Sequence, residues 1–396
     1  MLLRPSSLLS ACLVVFCSAN PAVAAPYVPT SDNKVLERLP FKPNDPIARE
    51  MAQMRGELQR NPQNVELAVR LARRYYKLVG EEGDPRYLGY AQAALAPWWD
   101  MSAPPIEVQI LRAGLAQFRH DFAGALTDLT QAIQHSPTHP QARSLRATIH
   151  IVQARYGQAR ADCQALHGVT SDLLALGCEA MVDGLTGKAA GAYQVLSDAL
   201  KKHPEAPVDE KLWVLTRLGE IAQRLGRIES AEAHFKQALA LEITDTFLLA
   251  AYADFLLDQK RPAEVVALLK DKTRSDTLLL RLVFAERALN LPEAKERQAV
   301  LAARYAAAQM RGDTVHQQEE ARFAMQVKQD PKKALKLAQE NWKVQLEPRD
   351  ARIFLEAALA GKDAAAARPV LQWLEDSRIE DRYLISLGQQ LKGMGK

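Results

Sequence analysis

The stretch Leu212 to Asp245, LWVLTRLGEIAQRLGRIESAEAHFKQALALEITD, constrains the fold more than any other part of the sequence. Counted from Leu212, it places Leu218-Gly219 at 7 and 8, Gly226 at 15, Ala231 at 20, Phe235 at 24 and Ala238 at 27. Positions 4, 7, 8 and 11 share one face of a first helix, and positions 20, 24 and 27 share one face of a second. Small residues at 8 and 20 let the two backbones come close. The residue at 24 fills the gap beside them, and a glycine near 15 serves the tight turn between the helices.

The same frame recurs along the chain. Ala125, Leu129, Ala132 and Pro137 take positions 20, 24, 27 and 32 of a unit that starts at Ile106. Ala159, Cys163 and Leu166 belong to a unit from Pro140, and Gly187, Ala192, Leu196, Ala199 and Pro204 to one from Leu173. Ala253, Val265 and Leu269 fit a unit from Thr246. Several units in one frame resemble the tetratricopeptide repeat, whose pattern is Leu-Gly at 7 and 8, Ala at 20, Phe at 24, Ala at 27 and Pro at 32. The clearest unit departs from that pattern at Ala222, where Tyr is usual, and at Ile243, where Pro is usual. The resemblance implies an all-α solenoid, a right-handed superhelix of antiparallel helix pairs. More narrowly, the leader, GDPRYLGYAQAALAPWW and NWKVQLEPRDAR together resemble a group of exported proteobacterial repeat proteins, a likeness that implies no activity.

The expected organisation is a signal peptide over 1–24, an extended linker over 25–46, a repeat solenoid over 47–279 and degenerate hairpins of the same solenoid over 280–396. The linker carries five prolines and little apolar periodicity. Beyond Leu280 the frame decays into one elongated helix, Leu291 to Gly312, then a helix opened by Asp330-Pro331 and running into Trp342. A last pair, Asp350 to Ala360 and Ala366 to Leu374, is joined at Gly361. Upstream, EEGDPRYLGYAQAALAPWWD reads as the second helix of the first full repeat. Asp84-Pro85 starts it and Pro97 ends it. Tyr87, Leu88 and Ala91 are expected to pack on Leu71 and Tyr75. Trp98 and Trp99 are expected to cover the repeat junction; an exposed one beside the groove would mark a ligand site, so both stand as candidate exposed aromatics.

The ends and the composition bound the compartment. Arg4, the apolar run Leu8 to Cys17 and Ala22-Val23-Ala24 form a secretory leader with cleavage expected after Ala24. The run is too short to span a bilayer. After cleavage no membrane helix is expected, and the chain is placed in the periplasm of a Gram-negative cell. A net charge of +4 on 396 residues gives no support to nucleic-acid binding. Two of four cysteines leave with the leader. Cys163 and Cys178 remain, equidistant from the turn at Thr170-Ser171, which places them for a disulfide between adjacent helices. Buried free thiols are the other reading.

No catalytic constellation is legible. His135 and His139 in HSPTH are separated by Pro137, and no His/Cys cluster has metal-ligand spacing. Nucleophile-elbow, P-loop and dinucleotide glycine patterns are missing, so no cofactor and no enzyme activity is expected. What remains is the groove. In the resembled solenoid the first helix of each pair lines the inner surface, through positions 2, 5, 9, 12 and 13. That gives Arg73, Tyr76, Gln117, Phe118, Thr148, Ile151, Val152, Leu174, Met181, Leu185, Trp213, Glu220, Arg224, Phe247 and Asp254 as candidate groove residues. Position 5 lacks the Lys and Asn of the carboxylate-clamp type. The leading expectation is a non-catalytic periplasmic scaffold that binds an unknown protein or peptide in the groove. The alternatives are a helical enzyme or carrier for an envelope glycan or small molecule, and an accessory subunit of a secretion or polysaccharide-export system.

Overall fold

A computed structural model describes residues 45–394, and every regular element among them is a helix. The expected leader and cleavage site, with nearly all of the expected linker, lie outside the described residues. The chain divides into two compact units, Met1–Glu50 and Met51–Lys396. Asp45 opens helix α1 (Pro46–Arg60), its Oδ1 accepting from the amides of Ile47 and Ala48.

The second unit is a run of helix pairs. Helix α2 (Val65–Glu82) pairs with α3 (Arg86–Ala94), and the short α4 (Ala96–Trp99) follows. Then come α5 (Ile106–Phe118) with α6 (Phe122–His135), α7 (Pro140–Val152) with α8 (Tyr156–Gln164), and α9 (Asp172–Asp183) with α10 (Ala189–Lys202). Next are α11 (Val208–Arg224) with α12 (Ile228–Leu239), α13 (Thr246–Asp258) with α14 (Pro262–Leu269), and α15 (Asp276–Ala288) with α16 (Glu293–Met310). The last are α17 (Gln317–Gln326) with α18 (Pro331–Trp342), α19 (Pro348–Ala360) with α20 (Arg368–Ser377), and α21 (Arg382–Met394). From α5 onward each odd-numbered helix touches the next odd-numbered one, and α2 touches α5, so the first helices of the pairs form one continuous layer.

The repeat frame accounts for this packing. Helices α5, α7 and α13 begin at Ile106, Pro140 and Thr246, the residues from which the frame counts. Its position 8 is Ala113, Ala147, Ala180 and Ala253, all buried, and Gly219, where an added Cβ would stand 2.7 Å from the Phe235 ring. Position 24 is Leu129, Cys163, Leu196, Phe235 and Leu269, each with no exposed surface. Side-chain caps start many of the helices: Asp121, Ser171, Asp245, Ser275 and Asp330 each accept an amide three residues on. Such a cap stabilises by about 1 kcal/mol. Cys163 on α8 and Cys178 on α9 form a disulfide, with Cα atoms 5.4 Å apart.

The early segment is close to its expected form. Asp84 Oδ1 accepts the Arg86 amide at the start of α3, and the Tyr87 ring lies 6.2 Å from that of Tyr75. The helix ends at Ala94 rather than Pro97, because α4 begins a new short turn at Ala96 with Pro97 in its first positions. Trp98 is buried there, 7% exposed, which corrects its standing as a candidate exposed aromatic. Trp99 is half-buried, and its carbonyl accepts from Arg112 of α5. The pair thus closes the junction between the first and second repeats. Beyond Leu280, α16, α18, α19 and α20 match the expected helices within a few residues. Helices α17 and α21 were not expected.

The solenoid is wound tightly enough for distant repeats to touch. Thr246 Oγ1 donates to the Glu81 carbonyl, the Trp373 indole donates to the Tyr156 hydroxyl, and the Ala189 amide donates to the Glu380 carboxylate. These partners are 165, 217 and 191 residues apart. Glycines at the hairpin turns meet the neighbouring layer. Gly83, Gly187 and Gly226 hold φ near +65°, +75° and +72° and face Ser275, Arg378 and Arg382. No described helix is long and apolar enough to cross a membrane.

Candidate functional site

The first helices of the pairs close around a central cavity of about 770 Å³. Its wall takes residues from α7, α9, α11, α13, α15, α17, α19 and α21. One part is apolar, with Ile151, Met181, Leu185, Ile221, Phe247 and Leu257. The rest is charged, and arginines dominate it.

Asp254 is the centre of the charged wall. Arg281 Nη2 donates to it at 2.6 Å, and Arg322 reaches both its oxygens at 2.7 and 3.1 Å. Burial opposes its ionisation, but the two guanidiniums outweigh that and hold the carboxyl well below the usual range. Arg352 binds Asp258 through two nitrogens at 2.8 Å, contacts Glu356 and lies over the Tyr383 ring. Arg217 pairs with Glu220 at 2.8 Å, and Arg349 pairs with Glu347 at 3.1 Å. Both cover the Phe247 ring, at 4.2 and 5.2 Å from its centroid. Arg349 lines the cavity with 46% of its side chain exposed.

Two charged groups are arranged differently. Asp381 caps α21 by accepting the Leu384 amide, and burial pushes its carboxyl upward. Arg224 makes no hydrogen bond or ion pair to any described residue, and its Nε is buried without an acceptor. Burial pushes its pKa down; Glu220 and Asp381 act on it only at longer range and offset part of that.

The chemistry of this wall favours holding over reacting. Glu220, Asp254, Asp258, Glu347 and Glu356 are each engaged by arginine, so their oxygens are already committed to ion pairs within the wall. Among the described residues, no group of His, Cys, Asp or Glu is placed to hold a metal ion. His139 instead caps α7, and His135 Nδ1 lies 2.8 Å from the Gln131 carbonyl oxygen.

Small residues at 8 and 20, a bulky residue at 24, and an axis lined by the first helix of each pair decide the architecture. The chain folds as a tetratricopeptide-type solenoid. No protein-family model matches its sequence, and no curated protein does. Among solved structures it is similar to a tetratricopeptide repeat protein from Parabacteroides merdae, at 14% identity and a TM-score of 0.42 over 65% of this chain and 92% of that one. It is also similar to yeast Tom70, at 15% and 0.44 over 84% of this chain and 61% of that one. The Cut9–Hcn1 hetero-tetramer of the APC/C gives 11% and 0.39 over 87% and 52%. Likenesses this distant add nothing to what the repeat geometry already establishes.

Of the candidate groove residues, the tetratricopeptide-type solenoid brings Ile151, Met181, Leu185, Glu220, Arg224, Phe247 and Asp254 to the cavity wall. The others are placed elsewhere. Arg73 pairs with Glu107, and Tyr76 packs on Gly114 and Phe118. Gln117 is half-buried next to Phe118, and Thr148 donates to the Ser144 carbonyl. The Val152 carbonyl accepts the Leu346 amide, Trp213 packs on Gly177, and Leu174 is half-buried at the α9 cap.

Sequence reading missed Arg281, Arg322, Arg349, Arg352 and Tyr383. A signal was present for two of them. Pro348 starts α19 with a capping box between Glu347 and Asp350. Counting from Pro348 puts Arg349 and Arg352 at positions 2 and 5, the inward positions of the frame.

Proposed function

We propose that the chain is an exported, non-catalytic scaffold of the Gram-negative periplasm that receives a partner protein or peptide at its central cavity. The observation that carries this reading is the cavity itself. It lies where the solenoid's inner helices converge, and it combines an apolar strip with exposed guanidinium surface around Phe247. Its volume suits a few side chains or a short segment rather than a long peptide. The arginine-held carboxylates support a binding role over acid–base catalysis. A disulfide between α8 and α9 is in keeping with an oxidising compartment.

The test is crosslinking in living cells with a photoreactive residue in place of Phe247 or Tyr383, and in place of Val195, which is 51% exposed. Capture of a discrete species from the two cavity positions, and none from Val195, is expected. Equal capture from all three would remove the cavity as the binding site. Protease accessibility after opening the outer membrane tests the compartment; protection until lysis of the inner membrane would contradict export.

A further inference from the structure

Charge bookkeeping around the cavity leaves a remainder. Eight cationic side chains and six carboxylates line it. Elsewhere in the chain, arginines next to buried carboxylates are tied to them. Arg112 binds Asp128, and Arg143 and Arg146 bind Asp162, all at 2.6–2.7 Å. Arg224 breaks that habit. It stands two helical turns beyond Arg217 on the same face of α11 and faces the cavity without a carboxylate partner. Its Nη2 would lie 3.2 Å from a Cβ placed on Gly184, at the C-terminal end of α9. That helix end supplies only fractional negative charge. A guanidinium withdrawn from bulk water is destabilising unless a charge sits against it, and Glu220 and Asp381 act on Arg224 only from longer range.

We propose that an anionic group of the ligand, a carboxylate or a phosphate monoester, supplies it by docking on Arg224. The body of the ligand extends toward Phe247, where Arg217 and Arg349 flank the ring. The proposal rests on the cavity being the binding site and names the chemistry of what enters. A guanidinium offers two parallel N–H donors to either anion. The anion belongs either to a side chain or chain end of a partner protein, or to a free small molecule.

The experiment follows thermal unfolding of the purified chain at constant ionic strength, with sodium chloride as reference. The probes are inorganic phosphate, glucose 6-phosphate, glucuronate and neutral glucose. A ligand that binds only the folded state raises the midpoint with saturation. At least one anion is expected to do so beyond chloride, and glucose is not. Response to both phosphates without glucuronate assigns a phosphate group, and the reverse assigns a carboxylate. Arg224→Met should abolish the response. Without anion it should unfold at a higher temperature than the parent, because the unbalanced charge is gone. Arg349→Gln, at a position open to the cavity, should shift half-saturation to roughly tenfold higher anion concentration. If no anion exceeds chloride, or if the response survives in Arg224→Met, the proposal is wrong. Capture of a partner from Phe247 and Tyr383 would stand unaffected by that result.

Discussion

At the scale of single residues, charge is settled at the centre of the solenoid by side chains far apart in sequence. Asp254 on α13 is balanced by Arg281 on α15 and Arg322 on α17. Its folded pKa lies below its unfolded value of about 3.9. The stability it contributes is therefore fully present above that value and is lost as pH falls through the depressed folded pKa. Asp254→Asn is expected to lower the unfolding free energy at neutral pH by about 3 kcal/mol, because it leaves Arg281, 3% exposed, with no full charge opposite. In urea melts the difference from the parent should shrink below about pH 4. A difference that does not vary with pH would point to lost shape rather than lost charge. None of this was legible beforehand. Asp254 was placed on the inner face by the frame, but no sequence rule says which arginine from a later repeat arrives opposite it.

At the scale of helices, the repeat frame carried nearly everything. The rule that position 8 must be small is enforced by contact: Gly219 touches Phe235, which fills position 24. Gly219→Ala is expected to lose about 1–3 kcal/mol by overpacking. Adding Phe235→Leu should recover part of that loss, and a double-mutant cycle measures the coupling. Strict additivity would mean that the two residues do not share the space. The α8–α9 junction offers a second test. Its disulfide closes 15 residues, so Cys163→Ser with Cys178→Ser should lose about 3 kcal/mol in denaturant melts. A reductant should lower the parent to a similar midpoint. The misses at this scale have causes as well. Helix α17 reads QQEEARFAMQ, where polar residues hide the apolar face, and Gln318 and Glu320 are buried in spite of their type. The end of α3 was misplaced because Pro97 was read as a stop, although proline is also a good starter for the next turn.

At the scale of the whole molecule, the decisive feature is contact between layers of the superhelix. Gly83 and Gly312 both hold positive φ, but an added Cβ on Gly83 would lie 2.5 Å from the Ser275 Cβ, whereas one on Gly312 meets nothing within 4 Å. Alanine at either position bears the backbone strain, of order 1 kcal/mol. Alanine at Gly83 should lose about 1–3 kcal/mol more, through collision with the neighbouring layer. Equal losses would show that the two layers are not packed against each other in solution. The sequence by itself determined the helix pairs between Ile106 and Leu269 and the small and bulky residues at their close approaches. Those are consequences of 3.6-residue periodicity and of neighbours within about 40 residues. The tertiary structure alone decided that α17, α19 and α21 curl round to complete a cavity, that five arginines and five carboxylates are paired around it, and that Arg224 has no ion-pair partner among the described residues. The physical reason is accumulation. A small rotation per repeat, unreadable in any one unit, sums over many repeats until residues 165 to 217 positions apart come into contact.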